Sequence, residues 1–468
     1  MVDIFSESVS GLRRVCVRPP YNDVVLTEVR LTAFKSFRKA VLPLHRASIL
    51  TGRNSSGKSN ALDAIEVLSR LARGDDLAEA LDGRGRTLVP VRGRAEGCAP
   101  HGTDRFEIGC TVHSDGADYV FDVEVQVRPS LRIVKEQLRG PGRAVKSGRW
   151  HQAVDLVSTR PPQDGGIGLE TEYHNGKRGL NPSRPVRDTR LASLQIADQL
   201  VPTNSAEHDV INGVTRVMQS LKGVFHLDPV PSLMRDYSPE RDAELRRDGQ
   251  NLSSALKDLQ ERDPQAFEQL VSDTKEIADS EVVGIDFETS TLGDVMMTLV
   301  EDHLLLGEER TPAREMSDGL LRFLAIATAL TASGESLDLD TEHPQAGATS
   351  ESVLLVLEEI ENGLHPSQAA RVLGLLQRAT EREGTSVLVT THSPALLDAL
   401  EGSLNESVVV CYRDLDTGWS HLRPLIELPG YARAMAEFTL GGAISNGKLV
   451  DVTEPDRDAE DFKRLLGI

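Results

Sequence analysis

Aromatic residues make up only 4% of the chain, with two tryptophans, and cysteine occurs four times in 468 residues. Cys16, Cys98, Cys110 and Cys411 stand far apart and form no C-x-x-C pair, which excludes a disulfide framework and a cysteine zinc site and leaves reduced thiols. No apolar run approaches the roughly eighteen residues of a membrane-spanning helix. The opening MVDIFSESVS lacks the basic and then apolar layout of a secretory leader. A cytoplasmic protein without a membrane partner is expected. Positive charge is also in short supply: 52 Lys and Arg face 72 Asp and Glu, a formal net charge of −20. Such a chain does not coat nucleic acid by overall charge, although a local basic surface can still bind it. The 39% of hydrophobic residues is ordinary for a protein that buries a core, and the length allows two or three domains.

What the sequence does contain is concentrated in ASILTGRNSSGKSNALDAIEVL. Ala47 to Thr51 reads as a short buried strand, and Gly52 to Ser59 spell G-x-x-x-x-G-K-S. Leu62, Ile65, Leu68 and Leu71 then set a helical period that Gly74 stops. Glycines let backbone N–H groups wrap phosphates, Lys58 supplies a point charge at the β and γ phosphates, and Ser59 offers a hydroxyl to Mg²⁺. The positive end of the helix points at the same anion. A plain glycine turn does not require strand, lysine, hydroxyl and helix in this order. Gly52, Arg53, Asn54, Ser55, Ser56, Gly57, Lys58, Ser59 and Asn60 are therefore the candidate ATP-binding residues, with Mg²⁺ alongside.

Three later motifs add to this one. In REMSDGLLRFLAIATAL, Ser317, Asp318 and Gly319 precede a helix running to about Ala332, either as a second anion-binding end or simply as a cap. In SVLLVLEEIENGLHP, an apolar strand from Val353 to Leu357 delivers Glu358 and Glu359 to its C-terminal edge, where open α/β sheets bind ligands. In SVLVTTHSPALLDAL, a buried strand ends at His392, before a helix with Pro394 near its start. Each motif alone also fits a structural role: a cap, an acidic strand end, a core histidine. Their order makes them support one another.

The remaining chain divides more coarsely. Residues 1–22 form an irregular lead-in. From 23 to 135, VVLTEVRLTAFKSFRKAVLPL reads as two strands around a turn at Lys35 and Ser36, and DRFEIGCTVHSDGADYVFDVEVQV as a hairpin turning at Ser114 to Gly116. Arg128 to Arg190 holds 13 Lys or Arg against 6 Asp or Glu. That excess reads either as a phosphate- or DNA-facing surface or as a solvated loop, and residues 136–190 are expected to be a basic variable loop segment. Residues 191–280 show apolar positions three or four apart and are expected to be a compact helical insertion. Residues 281–452 carry the three later motifs, and 453–468 form an acidic tail. RDLDTG, with Asp414 and Asp416, reads as a hairpin turn rather than a metal site.

Taken together, Gly52 to Ser59, Ser317 to Gly319, Glu358 with Glu359, and His392 resemble the ABC-type ATPases of the SMC and RecF group. The likeness is closer still to bacterial AAA family ATPases, including the ATPase half of OLD-type proteins, whose strand motif reads much like LEEIENGLHP. The segments LTAFKSF, DGQNLSSALKDL and TLGGAISNGKLVD are similar to that group as well. The resemblance spans about residues 24 to 452 and is thin between 75 and 240. It implies an α/β P-loop NTPase of the ABC/SMC-head type, with a mixed sheet core, an antiparallel β subdomain and a compact helical insertion. It further implies that Lys58 and Ser59 bind phosphate and Mg²⁺ and that Glu358 is the metal-side acid. Glu359 would be the general base, and His392 would sense the γ-phosphate. Ser317 to Gly319 would touch the nucleotide of a second subunit, and Lys35 and Ser36 would lie near the adenosine end. Gln126 is the candidate for the family's metal-binding glutamine. Two departures stand out: Glu358 where ABC proteins often have Asp, and Ser-Asp-Gly in place of Ser-Gly-Gly.

The resemblance leaves two classes of role. One is a nucleotide-gated switch, a homodimer or higher even oligomer, that senses DNA or phage products and controls a separately encoded effector in bacterial defence. The other is a RecF-like ATPase of DNA repair or maintenance that binds DNA itself through 128–190. The residues after His392 are too few for the metal-dependent nuclease domain of OLD-type proteins, which favours the switch. A scaffold that binds ATP without hydrolysing it is disfavoured by Glu359 and His392.

Overall fold

Five short apolar runs pair in parallel to form the centre of the molecule, seen in a computed structural model. The structure describes residues 24–84, 89–143, 150–161, 168–177, 179–278, 282–303, 307–332, 334–339, 352–400, 402–414 and 416–449. The lead-in, Cys16 and the acidic tail lie outside them. In spatial order the five runs are Val224–Leu227, Val353–Leu357, Thr385–Thr391, Ala47–Thr51 and Val408–Arg413. Val353–Leu357 is buried at every position, which is what a β-branched and leucine run between two helical layers requires. The P-loop strand Ala47–Thr51 and the Glu358 strand are not neighbours. The His392 strand Thr385–Thr391 lies between them, so Thr390, Thr391 and His392 emerge between Lys58 and Glu358.

Beyond Val408–Arg413 the sheet is mostly antiparallel, through Ser420–Pro424, Phe37–Pro43, Val25–Phe34, Arg105–Ser114 and Ala117–Gln126, the one parallel step being that from Ser420–Pro424 to Phe37–Pro43. The two expected hairpins, at Lys35 and Ser36 and at Asp115 and Gly116, are both present. The basic segment departs from expectation. Its described residues are not a loop: Arg132–Arg143, Trp150–Arg160, Leu169–Tyr173 and Ser183–Val186 continue the same sheet to its far edge. The helical segment is also not wholly helical. Helices Ala192–Gln199, Ser205–Lys222, Leu252–Arg262 and Pro264–Ile277 are there, but Val224–Leu227 between them is the edge strand of the parallel core. Its four residues are too few for any period to separate strand from helix.

Helix Lys58–Ala72 packs its apolar face under the sheet, with Leu62, Ile65, Leu68 and Leu71 all buried. A smaller antiparallel sheet, built around Val282–Thr289, Asp294–His303 and Gly307–Pro312, belongs to a second lobe. There it shares a core with helix Asp318–Thr331, headed by the Ser317–Asp318–Gly319 motif (the signature), where Leu321, Leu324, Ala327 and Leu330 face inward. Cys98, Cys110 and Cys411 are buried free thiols, and burial pushes the first two up to about 12. No helix among the described residues is long and apolar enough to cross a membrane.

Candidate functional site

The loop from Gly52 to Gly57 leaves the P-loop strand and bends back into the helix through three left-handed residues: Gly52 at φ 151°, Ser55 at 65° and Gly57 at 119°. Gly52 has no alternative, since a Cβ there would stand 2.1 Å from the Cys411 carbonyl oxygen. Arg53, Asn54 and Ser55 are exposed at the rim, while Ser56 and Lys58 are buried. Lys58 Nζ donates to the carbonyls of Gly52, at 2.7 Å, and Arg53, at 3.2 Å, so the ammonium sits within the loop. Burial lowers its pKa, opposed by Cys411, Glu359, Glu361 and Glu358.

The strand ends bring the acids to this lysine's neighbourhood. Ser59 Oγ donates to Glu358 Oε1 at 2.6 Å, joining the loop to the Glu358 strand. Glu358 is held below the usual carboxylate range: burial would raise it, but hydrogen bonds from Arg92 and Ser59 outweigh that effect. Glu359, the next residue, takes a left-handed backbone at φ 50°, and its N–H donates to Thr390 Oγ1 at 2.9 Å. Asn362 Nδ2 donates to Glu359 Oε2 at 2.7 Å. His392 Nδ1 lies 3.1 Å from Glu361 Oε1 and 3.7 Å from Glu359 Oε1. The backbone N–H groups of His392 and Ser393 both donate to Glu361 Oε1, which fixes the turn that carries the histidine.

Lys58, Ser59, Glu358, Glu359 and His392 are thus brought together. Ser36 stays beside them, accepting from Asn60 Nδ2 and from Ser420 Oγ, each at 2.8 Å. Lys35 is spent elsewhere. Its Nζ is buried and donates to Asp63 Oδ2 and the Arg92 carbonyl, each at 2.6 Å. Gln126 does not join the group: it accepts from Arg132 Nη2 at 3.2 Å, well along the antiparallel part of the sheet. Ser317 caps its helix by accepting from the Leu320 N–H at 3.2 Å, and Arg235 Nη2 holds Asp318 at 2.7 Å. Both Ser317 and Asp318 are exposed.

The sequence reading overlooked Asn362, which donates to Glu359, and three further residues. Arg92 clasps Glu358, with Nη2 2.6 Å from Oε2 and Nη1 3.2 Å from Oε1. His226, in the edge strand, puts Nε2 3.9 Å from Glu358 Oε2, and burial lowers its pKa. Thr390 orients Glu359 from the strand between. Only the Thr-Thr-His run carried any local signal for the last of these.

Ser59 and Glu358 offer two hard oxygens side by side. Among the described residues there is no cluster of three or more His, Cys, Asp or Glu able to hold a metal alone. That donor set fits Mg²⁺, which takes one or two protein oxygens and completes its shell with phosphate and water. The ion would be held by Ser59 and Glu358, where it would neutralise phosphate charge.

A model of the family described as "AAA domain, putative AbiEii toxin, Type IV TA system" matches residues 48–398, from the P-loop strand to beyond His392. The chain belongs to this family. With the parallel core, the inserted strand and the antiparallel lobe, this AAA-domain protein has the P-loop NTPase fold of ABC/SMC-head type that its motifs imply. No curated protein matches it. Among solved structures it is similar to the SMC head domain from Thermotoga maritima, at 13% identity and TM-score 0.37, over 86% of this chain and 98% of that one. It is also similar to the Smc head domain with an extended coiled coil from Pyrococcus furiosus, there bound to the C-terminal domain of ScpA. That likeness has 13% identity and TM-score 0.41, over 88% and 100% of the two chains. The Smc head domain with a coiled coil and joint from Pyrococcus yayanosii aligns at 11% identity and TM-score 0.43, over 91% and 100%. The likeness to OLD-type proteins rests on the sequence motifs alone.

Proposed function

We propose that this AAA-domain protein hydrolyses ATP to ADP and phosphate and uses the cycle as a dimeric switch controlling a separate effector in bacterial defence. The observation that carries the hydrolytic reading is the 2.6 Å hydrogen bond from Ser59 to Glu358, with Glu359 and His392 at adjoining strand ends. Lys58 and the loop N–H groups would hold the β and γ phosphates. A water placed by Glu359 attacks the γ-phosphorus as its proton passes to that carboxylate, and the bond to the β-phosphate oxygen breaks. Asn362 keeps the Glu359 carboxylate aimed, and His392, beside Glu361, would sense the γ-phosphate.

Support for the dimer comes from the signature. Ser317 and Asp318 face outward at the head of a fourteen-residue helix, a position suited to the phosphates of a second copy. A C₂ pair would then close two composite sites, each with Lys58 from one protomer and Ser317 from its partner. The effector role over direct DNA binding is favoured by the ion pairs of the basic segment. Arg143 is bound to Asp209, Arg160 to Glu172 and Arg190 to Asp76, so these cations neutralise the protein's own acids. The family's description as part of a toxin–antitoxin system is likewise a two-component arrangement.

Mixing two inactive variants tests the shared site. K58A and S317R should each lack turnover, yet a mixed dimer holds one site with both residues intact, and part of the activity should return. Demonstrated mixed dimers that stay inactive would mean that the two sites fire only together or that Ser317 acts within its own chain, and a closed-state structure separates the two.

A further inference from the structure

Glu358 is the most contested group in the site. Its Oε1 accepts from Ser59 Oγ at 2.6 Å and from Arg92 Nη1 at 3.2 Å, while Oε2 accepts from Arg92 Nη2 at 2.6 Å and has His226 Nε2 at 3.9 Å. A guanidinium forked across a carboxylate is among the stronger pairings in proteins, because two charge-assisted bonds form with matched geometry. A divalent cation held by Ser59 and Glu358 draws on the same lone pairs. Arg92 and the cation therefore compete for one carboxylate, three of whose roughly four acceptor sites are already taken.

Arg92 is built to move while its backbone is not. Half of its side chain is exposed, against 15% for Glu358, so the guanidinium can leave for water without crossing the core. Its carbonyl is fixed by the buried Lys35 ammonium, which is itself paired with Asp63 of the P-loop helix. Leaving Glu358 thus costs Arg92 its ion pair but not its place.

We propose that Arg92 is a positioning residue that competes with the divalent cation for Glu358, so that metal enters the nucleotide site by displacing the guanidinium. The competition sets a threshold. Metal carried in with nucleotide, whose phosphates contribute further ligands, can displace Arg92 where metal alone binds weakly. The resident guanidinium also keeps Glu358 aimed at Ser59, so the acid is already placed when the ion arrives. This proposal rests on the reading of Ser59 and Glu358 as the metal side of the ATP site.

The test measures Mn²⁺ binding to the full chain by electron paramagnetic resonance, with a non-hydrolysable ATP analogue present, after binding of that analogue without metal has been established. R92Q should bind Mn²⁺ about tenfold more tightly than the wild type, and R92K should fall between them. On an E358Q background the same R92Q change should shift Mn²⁺ affinity by less than about twofold. A role for Arg92 in stability alone would lower the melting temperature and leave this pattern absent. Should R92Q fail to fold, R92K carries the comparison. Mn²⁺ affinity unchanged or weakened in the folded variant would overturn the competition. Failure of the wild type to bind the analogue would instead overturn the ATP-site reading beneath it.

Discussion

Gly319 of the signature and Gly363, four residues beyond Glu359, meet backbone to backbone: a Cβ on Gly319 would stand 2.0 Å from the Gly363 carbonyl oxygen. Gly363 is itself left-handed at φ 85°. The first turn of helix Asp318–Thr331 and the turn that follows Glu359 are thus one contact within a single chain. A shift in either is felt by the other, which in the proposed dimer would give a route from a partner's nucleotide to Glu359.

G319A should separate those two segments. The added methyl must push the start of helix Asp318–Thr331 off the turn, at about 1–3 kcal/mol for such overpacking. Nucleotide binding to the isolated chain should persist while turnover falls at least about tenfold. Equilibrium binding and steady-state phosphate release measure the two effects.

E359Q should bind ATP and stall. The amide keeps the hydrogen bond from Asn362 only if it presents its oxygen, and it cannot take a proton, so turnover should drop by about 10²–10⁴-fold. Closed dimers should accumulate with ATP and appear in light scattering as a doubled mass.

Glu66 sets an acid limit on stability. It is buried beside Arg247 and Arg70. Burial would raise its pKa, but the two guanidinium groups outweigh burial and hold it at about 2. Because the folded pKa is depressed, the stabilisation is complete above the unfolded carboxylate range. It is lost as pH falls from about 4.5 towards 2. E66Q should therefore be less stable than the wild type by on the order of 3 kcal/mol at pH 7, with the gap closing over that acid window. Urea unfolding at a series of pH values follows it.

Arg143 should prove structural. Its guanidinium and its own N–H hold Asp209, whose side chain is only 4% exposed. R143A leaves that carboxylate only the backbone N–H and should cost about 2–3 kcal/mol of stability. It should leave the salt dependence of any DNA binding unchanged. A flattened salt slope in a gel-shift series would instead return Arg143 to a phosphate-facing role.

The P-loop, both glutamates and His392 were legible because each motif is local: strand, turn and helix follow within some twenty residues. Strand Arg132–Arg143 was not, and its inward positions show why. They are Ile133, Glu136, Leu138, Gly140 and Gly142, so two glycines and a carboxylate interrupt the apolar alternation that marks a strand. Glu136 is tolerated there because it accepts the N–H groups of Ala192 and Ser193 at the head of a helix nearly sixty residues on. Arg92 and His226 were missed for a related reason. Each meets Glu358 only after the parallel core has assembled, and nothing in their own neighbourhoods records the meeting. Lys35 was read as near the nucleotide from its motif, but its motif could not show that Asp63 holds the ammonium.

Glu359 is a side-chain-bearing residue in a conformation that glycine or asparagine adopts at less cost. The strain is maintained by its neighbours, with Thr390 holding the N–H and Asn362 both the carbonyl and the carboxylate. A lineage screened only for heat resistance would therefore be drawn to replace Glu359 early, since the substitution relaxes the backbone at a half-exposed position and disturbs little packing. If Glu359 is the base proposed above, persistence of glutamate there marks selection for turnover, and a thermostable relative with glycine or asparagine at this position would be one that has retired its chemistry while keeping its fold.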